Sequence, residues 1–129
     1  FLSSFRVFVE LVRICGDDPS PHQAAAIGRI ASHFMTLRRM SLSVAGMLEA
    51  GKDVSVEAAL VKELGNNFEK LLPEIARLVV PDLSAVDPDK QRLFRETFEE
   101  TLMLSPSFTL RGGTREIMRG VIARGLGLR

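Results

Sequence analysis

The 129-residue chain has no tryptophan, no tyrosine and a single cysteine. Without Trp or Tyr, any platform for stacking nucleobases would rest on its eight phenylalanines alone. One cysteine excludes an internal disulfide and any cysteine-rich zinc site, and it fits a reduced, cytoplasmic compartment. A surplus of charge is missing too. Seventeen Lys and Arg face sixteen Asp and Glu, for a net charge of +1. Nucleic-acid binders usually carry a basic excess on one face, so this balance argues against such a partner. No apolar run approaches the ~20 residues of a membrane-spanning helix. The apolar opening up to Ile14 is interrupted by Arg6, Glu10 and Arg13 and does not read as a signal peptide. The chain opens on Phe1 and not on Met, which points to a piece of a longer product.

Period-two alternation is also lacking, so no strand is expected. What is present is helical periodicity in five segments. The first runs from about Leu2 to Cys15, with Phe5, Phe8, Val9 and Val12 on one face and Gly16 as its stop. The second runs from about Pro21 to Ala50, with Ser20 as N-cap and Pro21 in the first turn. Its stripe includes Ile27, Ile30, Phe34, Leu37, Val44 and Leu48. The third runs from about Ser55, its N-cap candidate, to Val80, and carries Leu60, Leu64, Phe68, Leu71, Leu72, Ile75 and Leu78. Pro73 falls inside it, so a kink or break is expected near Glu69 to Pro73. Asp87 and Pro88 open the fourth segment, which runs to about Leu104. The fifth runs from about Thr114 to Leu126 with Ile117, Met118, Val121 and Ile122 inward. Five helices with short polar connections predict an all-α, antiparallel helical bundle in one domain.

Candidate chemistry is sparse. His22 and His33 lie eleven residues apart on the second helix, roughly 16 Å along its axis, too far to share a metal. No Glu has a His three residues on, so a di-iron bundle is excluded and no metal site is expected. His22 reads as a helix-start residue and His33 as a half-buried one. Cys15 sits at a helix C-terminus, which disfavours a thiolate nucleophile. Glu96, Glu99 and Glu100 read as a solvated helix face, braced by Arg92 four residues before Glu96.

The closing stretch, RGGTREIMRGVIARGLGLR, is different. Arg111, Arg115 and Arg119 recur every four residues, Arg124 and Arg129 follow, and only Glu116 opposes them. Two glycines lead into a helix N-terminus among these arginines. Such a turn is either an approach site for an anion or cofactor, or simply a glycine-rich entry to a surface helix.

This stretch resembles the closing helix of the acyl-CoA dehydrogenase family. The similarity is carried by Gly113, Thr114, Glu116, Ile117, Arg119, Ile122, Ala123 and Arg124, because members commonly end with a Gly-Thr, an Ile, an Arg and an Ile-Ala-x-Arg-type run. It extends less specifically to the third segment, through the step from Lys62 to Gly65, and to the long second segment ending at Gly51. The resemblance implies the C-terminal helical domain of a three-domain flavoenzyme, without its N-terminal helical and middle β-domains. Complete members bind FAD and oxidise the Cα–Cβ bond of an acyl-CoA thioester, passing electrons on to a partner. They work as homo- or hetero-oligomers. Gly113, Thr114 and Glu116 would then contact the cofactor.

The chain departs from the family in three places. Many relatives carry the catalytic base directly before the Gly-Thr, and here that position is Gly112. The family's Gln-x-x-Gly-Gly and Arg-x-x-Phe-Gly stretches are absent. Glu10 is the only acid on the first segment, the other place where some relatives hold the base. Two expectations therefore stand together: the C-terminal domain of an acyl-CoA dehydrogenase, inactive alone, or a non-catalytic helical subunit supporting a catalytic partner. In both, removing the neighbouring domains leaves apolar surface uncovered, and the isolated chain is expected to self-associate.

Overall fold

A computed structural model describes residues 3–128, and these form five α-helices with no strand among them. Helix α1 spans Phe5–Cys15, α2 Pro21–Glu49, α3 Ser55–Val79, α4 Pro88–Leu104 and α5 Arg115–Gly125. Short 3-10 turns occupy Leu83–Ala85 and Ser105–Leu110. The expected start of the first helix at Leu2, and Arg129 at the end of the arginine series, lie outside the described residues.

Local chemistry sets most of the helix ends. Ser20 and Gln23 form a reciprocal capping box at the start of α2, each side chain satisfying the other's backbone N–H. Asp87 accepts from the Asp89 and Lys90 amides and so opens α4. The third helix differs from expectation. Its N-cap is Val54, which has no side-chain cap, and Ser55 is the first helical residue. Asp53 does the capping from one residue further out, accepting from both the Ser55 amide and hydroxyl. A carboxylate reaching back over an Asx-type turn replaces the weaker serine hydroxyl.

The helices pack in antiparallel pairs. Pocket-lining neighbours join the N-terminal end of α1 (Ser3, Arg6) to the C-terminal half of α4 (Thr101, Leu104). Gln23 near the start of α2 donates to the carbonyl of Val79 at the end of α3. Val56 at the start of α3 meets Gly125 at the end of α5. The core lies where α1, α2, α3 and α4 converge, with Val7, Leu11, Ile30, Leu72 and Ala76 fully covered. At its centre Phe34 and Phe68 meet edge to face, ring centroids 4.8 Å apart. That is the geometry aromatic quadrupoles prefer.

Pro73 does not break α3. The helix runs through it unbroken, and Pro73 is buried. Proline has no N–H, so the carbonyl of Glu69, one turn earlier, loses its usual donor. Ser4 supplies the missing one: its hydroxyl donates to the Glu69 carbonyl at 3.2 Å. The Glu69 carboxylate in turn accepts from the Ser3 amide at 3.0 Å, at the N-terminal end of α1. A chain segment 65 positions away therefore repairs the gap.

Several apolar residues expected inward face solvent. Leu64, Leu71 and Leu78 lie seven residues apart along the outer side of α3, and Leu78 is 72 % exposed. Ile117 on α5 is 56 % exposed, because α5 packs chiefly on α3 and contributes no buried residue. Leu48 on α2 is exposed as well, as are Met35 and Leu42, which lie outside the expected stripe; the buried residues of α2 end at Leu37. Among the described residues, no helix is long and apolar enough to cross a membrane.

Candidate functional site

The polar centre of the molecule lies at the junction of α3 with α5. Glu63 stands on the flank of α3 facing α5, and its side chain is 9 % exposed. One carboxylate oxygen, Oε1, accepts from Arg119 Nε at 3.0 Å, Arg115 Nε at 3.3 Å and Asn67 Nδ2 at 3.2 Å. Burial pushes the Glu63 carboxyl up, but the hydrogen bonds from Asn67, Arg119 and Arg115, with the Arg115 charge, outweigh it and hold the group below the ordinary glutamate value. The second oxygen, Oε2, is buried without a partner among the described residues.

The turn into α5 carries the residues singled out by the closing motif. Gly112 has φ +65° and Gly113 φ +113°, both in the region that side chains other than glycine rarely adopt. The two glycines are thus required by the chain's own path. A Cβ on Gly113 would also fall 2.6 Å from Met118 Cε. At Gly112 the neighbour is a cation: Lys62 Nζ lies 3.5 Å from where a Cβ would sit. Thr114 is the N-cap residue of α5, in extended conformation. Glu116, in the first turn, accepts from its own backbone N–H and from the Thr114 hydroxyl, and the charges of Arg115 and Arg119 add to this. Together they hold its carboxyl below the usual range. The anion-attracting end of α5 is therefore already served by a carboxylate of the same chain.

Three arginines of the series have partners within the chain. Arg115 and Arg119 share Glu63. Arg111 donates to the Ser3 hydroxyl at 2.7 Å and lies over the Phe108 ring, 4.6 Å from its centroid. These bases tie α5 and the preceding turn to α3 and to the start of α1. The spacing of four in sequence serves the docking of α5 on Glu63.

The remaining candidates are separate. Glu10 is buried on α1, where Oε1 pairs with Arg13 at 2.7 Å and Oε2 finds no partner among the described residues. Burial raises the Cys15 thiol above its ordinary value, which disfavours the thiolate. His33, expected half-buried, is exposed and stacks on Phe68 at 5.0 Å. Arg92 bridges Asp89 and Glu96 on the solvated face of α4. Among the described residues no three His, Cys, Asp or Glu side chains come together as a ligand set.

Beside Lys62, Asn66 went unnoticed in sequence. Lys62 and Asn66 wall a cleft of about 330 Å³ between α3 and the C-terminal half of α2, opposite Ser41. Asn66 is 5 % exposed, and its Nδ2 has no acceptor among the described residues. Glu63 and Asn66 are two polar residues among many on α3, so periodicity gave no signal that they are buried. No family model, no curated protein and no solved structure matches this chain.

Proposed function

We propose that this chain is the C-terminal helical domain of an FAD-dependent acyl-CoA dehydrogenase. In that role it would supply part of the flavin site through Gly113, Thr114 and Glu116, and part of the oligomer interface. The observation that carries the reading is the Gly112–Gly113 turn. Both residues have positive φ, they lead directly into a helix N-terminus at Thr114, and that helix is anchored by Glu63 on α3. Glycines leave room for a planar cofactor to approach the backbone closely. The uncovered leucines of α3 and the apolar trough between α1 and α2 also suit a domain that packs against neighbours in a larger protein.

One observation favours the alternative, a non-catalytic helical subunit of a heteromeric enzyme. Position 112 offers no carboxylate, and its nearest polar neighbour is the Lys62 ammonium. A proton-abstracting base cannot come from this turn.

The deciding experiment is the intact mass of the natural product, with an absorbance scan for bound flavin. A longer protein with a yellow chromophore that dehydrogenates an acyl-CoA supports the first reading. A longer but colourless protein that co-purifies with a catalytic partner supports the second. A natural product no longer than this chain overturns the first.

A further inference from the structure

We propose that this chain pairs with a second copy of itself, the trough between α1 and α2 of each copy receiving the C-terminal turn of the other's α4. The inference does not rest on the flavoenzyme reading.

The trough holds about 610 Å³, and its wall is apolar through Phe5, Phe8, Phe34, Met35 and Leu42. Met35 is 67 % exposed and Leu42 60 %. The rim is basic. Arg38 lines it, and Arg39 follows on the same side of α2, four residues after Met35 and three before Leu42. No acid occurs between Asp18 and Glu49, so α2 carries only Arg and His as ionisable groups before its last residue. Neither Arg38 nor Arg39 makes an ion pair among the described residues. An apolar trough rimmed by unpaired cations suits a protruding apolar side chain flanked by acids.

The same chain presents one. The last turn of α4 carries Glu99, Glu100, Leu102 and Met103, and Met103 is 81 % exposed. Both carboxylates lack an ion pair among the described residues. No base occurs between Arg95 and Arg111. The spacings also agree. Arg38 and Arg39 stand four and three residues before the exposed Leu42, and Glu99 and Glu100 four and three before the exposed Met103. On a helix that spacing gathers two charges and one apolar side chain into a single patch. The two patches are alike in layout and opposite in charge.

Both patches flank the first turns of α1. Phe5 and Phe8 wall the trough, while Ser3 and Arg6 border Glu100 and Leu104 at the end of α4. A two-fold pairing beside this end of α1 would set each patch against its complement in the other copy, the arrangement of an isologous dimer.

The test is sedimentation equilibrium in a Leu71→Gln, Leu78→Gln background, which removes the exposed row of α3 as a rival contact. That background should still reach the mass of a dimer and stop there. Reversing the rim (Arg38→Glu with Arg39→Glu) or the acidic pair (Glu99→Lys with Glu100→Lys) should each weaken pairing about ten-fold or more, because like charges are then juxtaposed. Mixing the two reversed chains should restore the dimer, since each again meets its complement. Met103→Gln changes no charge and should weaken pairing as well. All five sites are exposed, so unfolding midpoints should stay near that of the background. A background that is monomeric at every concentration would overturn the proposal. So would reversed chains that pair as the background does, or a mixture that stays monomeric. Growth past the dimer would overturn the two-fold closure.

Discussion

Glu63 is the residue on which the docking of α5 depends. Its Oε1 holds Arg115 and Arg119 together, and Oε2 is buried without a partner. Glu63→Gln keeps the shape and removes the charge. It should lower stability by about 1–3 kcal/mol, the range for hydrogen bonds to charged groups, seen as a shift of the urea midpoint. The pH dependence follows from the direction of the shift. The folded carboxyl lies below the ordinary value of 4.5, so its stabilisation is complete above that pH and disappears as pH falls through the lowered value. Urea midpoints measured from neutral pH down into the acid range should fall less steeply in Glu63→Gln than in the parent. Gly125 gives a second residue-scale expectation. A Cβ there would collide with Val56 Cγ2, whereas one at Gly120 meets nothing within 4 Å. Gly125→Ala should therefore cost roughly 1–3 kcal/mol by overpacking. Gly120→Ala should instead gain up to about 1 kcal/mol from helix propensity. Thermal melts of the two variants, and of Gly125→Ala combined with Val56→Ala, check the contrast. Recovery in the double variant is the expected result.

Among the elements, α3 is the axis of the molecule. It carries α2 on one flank and α5 on the other, and its Pro73 is tolerated because Ser4 donates to the stranded Glu69 carbonyl. Ser4→Ala removes that donor in a fully buried place. The cost should be about 1–3 kcal/mol, the penalty of an unpaired buried acceptor. In a Pro73→Ala background the backbone regains its own N–H, and the same substitution should cost much less. A double-mutant cycle by chemical denaturation reads this coupling directly. Additive effects would show that Ser4 acts elsewhere. The periodicity of α3 was visible in sequence, but its continuity was not. A proline inside an apolar stripe normally signals an ending, and the compensating hydroxyl lies far away on the N-terminal side of α1.

At the scale of the whole molecule, the uncovered faces dominate. Leu64, Leu71 and Leu78 form an exposed row on α3, and Phe5, Met35 and Leu42 border a trough of about 610 Å³ between α1 and α2. Contiguous apolar surface of this kind is unusual on a protein that works alone. The isolated chain should self-associate, with a sedimentation coefficient that rises with concentration. Replacing Leu71 and Leu78 by Gln should shift it toward the monomer, because both are solvent-facing and contribute little to the internal core. Concentration-independent sedimentation of the parent chain would contradict this expectation.

The sequence by itself determined the helical class, the starts of α2 to α5 to within about one residue, and the glycine turn before α5. Those features follow from short-range chemistry: apolar spacing, capping side chains at Ser20 and Asp87, and the tolerance of glycine for positive φ. Tertiary structure alone decided which stripe residues are covered. Ile117 and Leu78 obey the helical period as well as Ile30 and Leu72 do, yet they face solvent because no neighbouring helix lies against them. It also decided the fate of the arginines. Their spacing of four put Arg115 and Arg119 on one face, but only the approach of α3 showed that the face meets Glu63. Periodicity assigns residues to faces, and the docking of distant elements assigns those faces to core, partner or solvent.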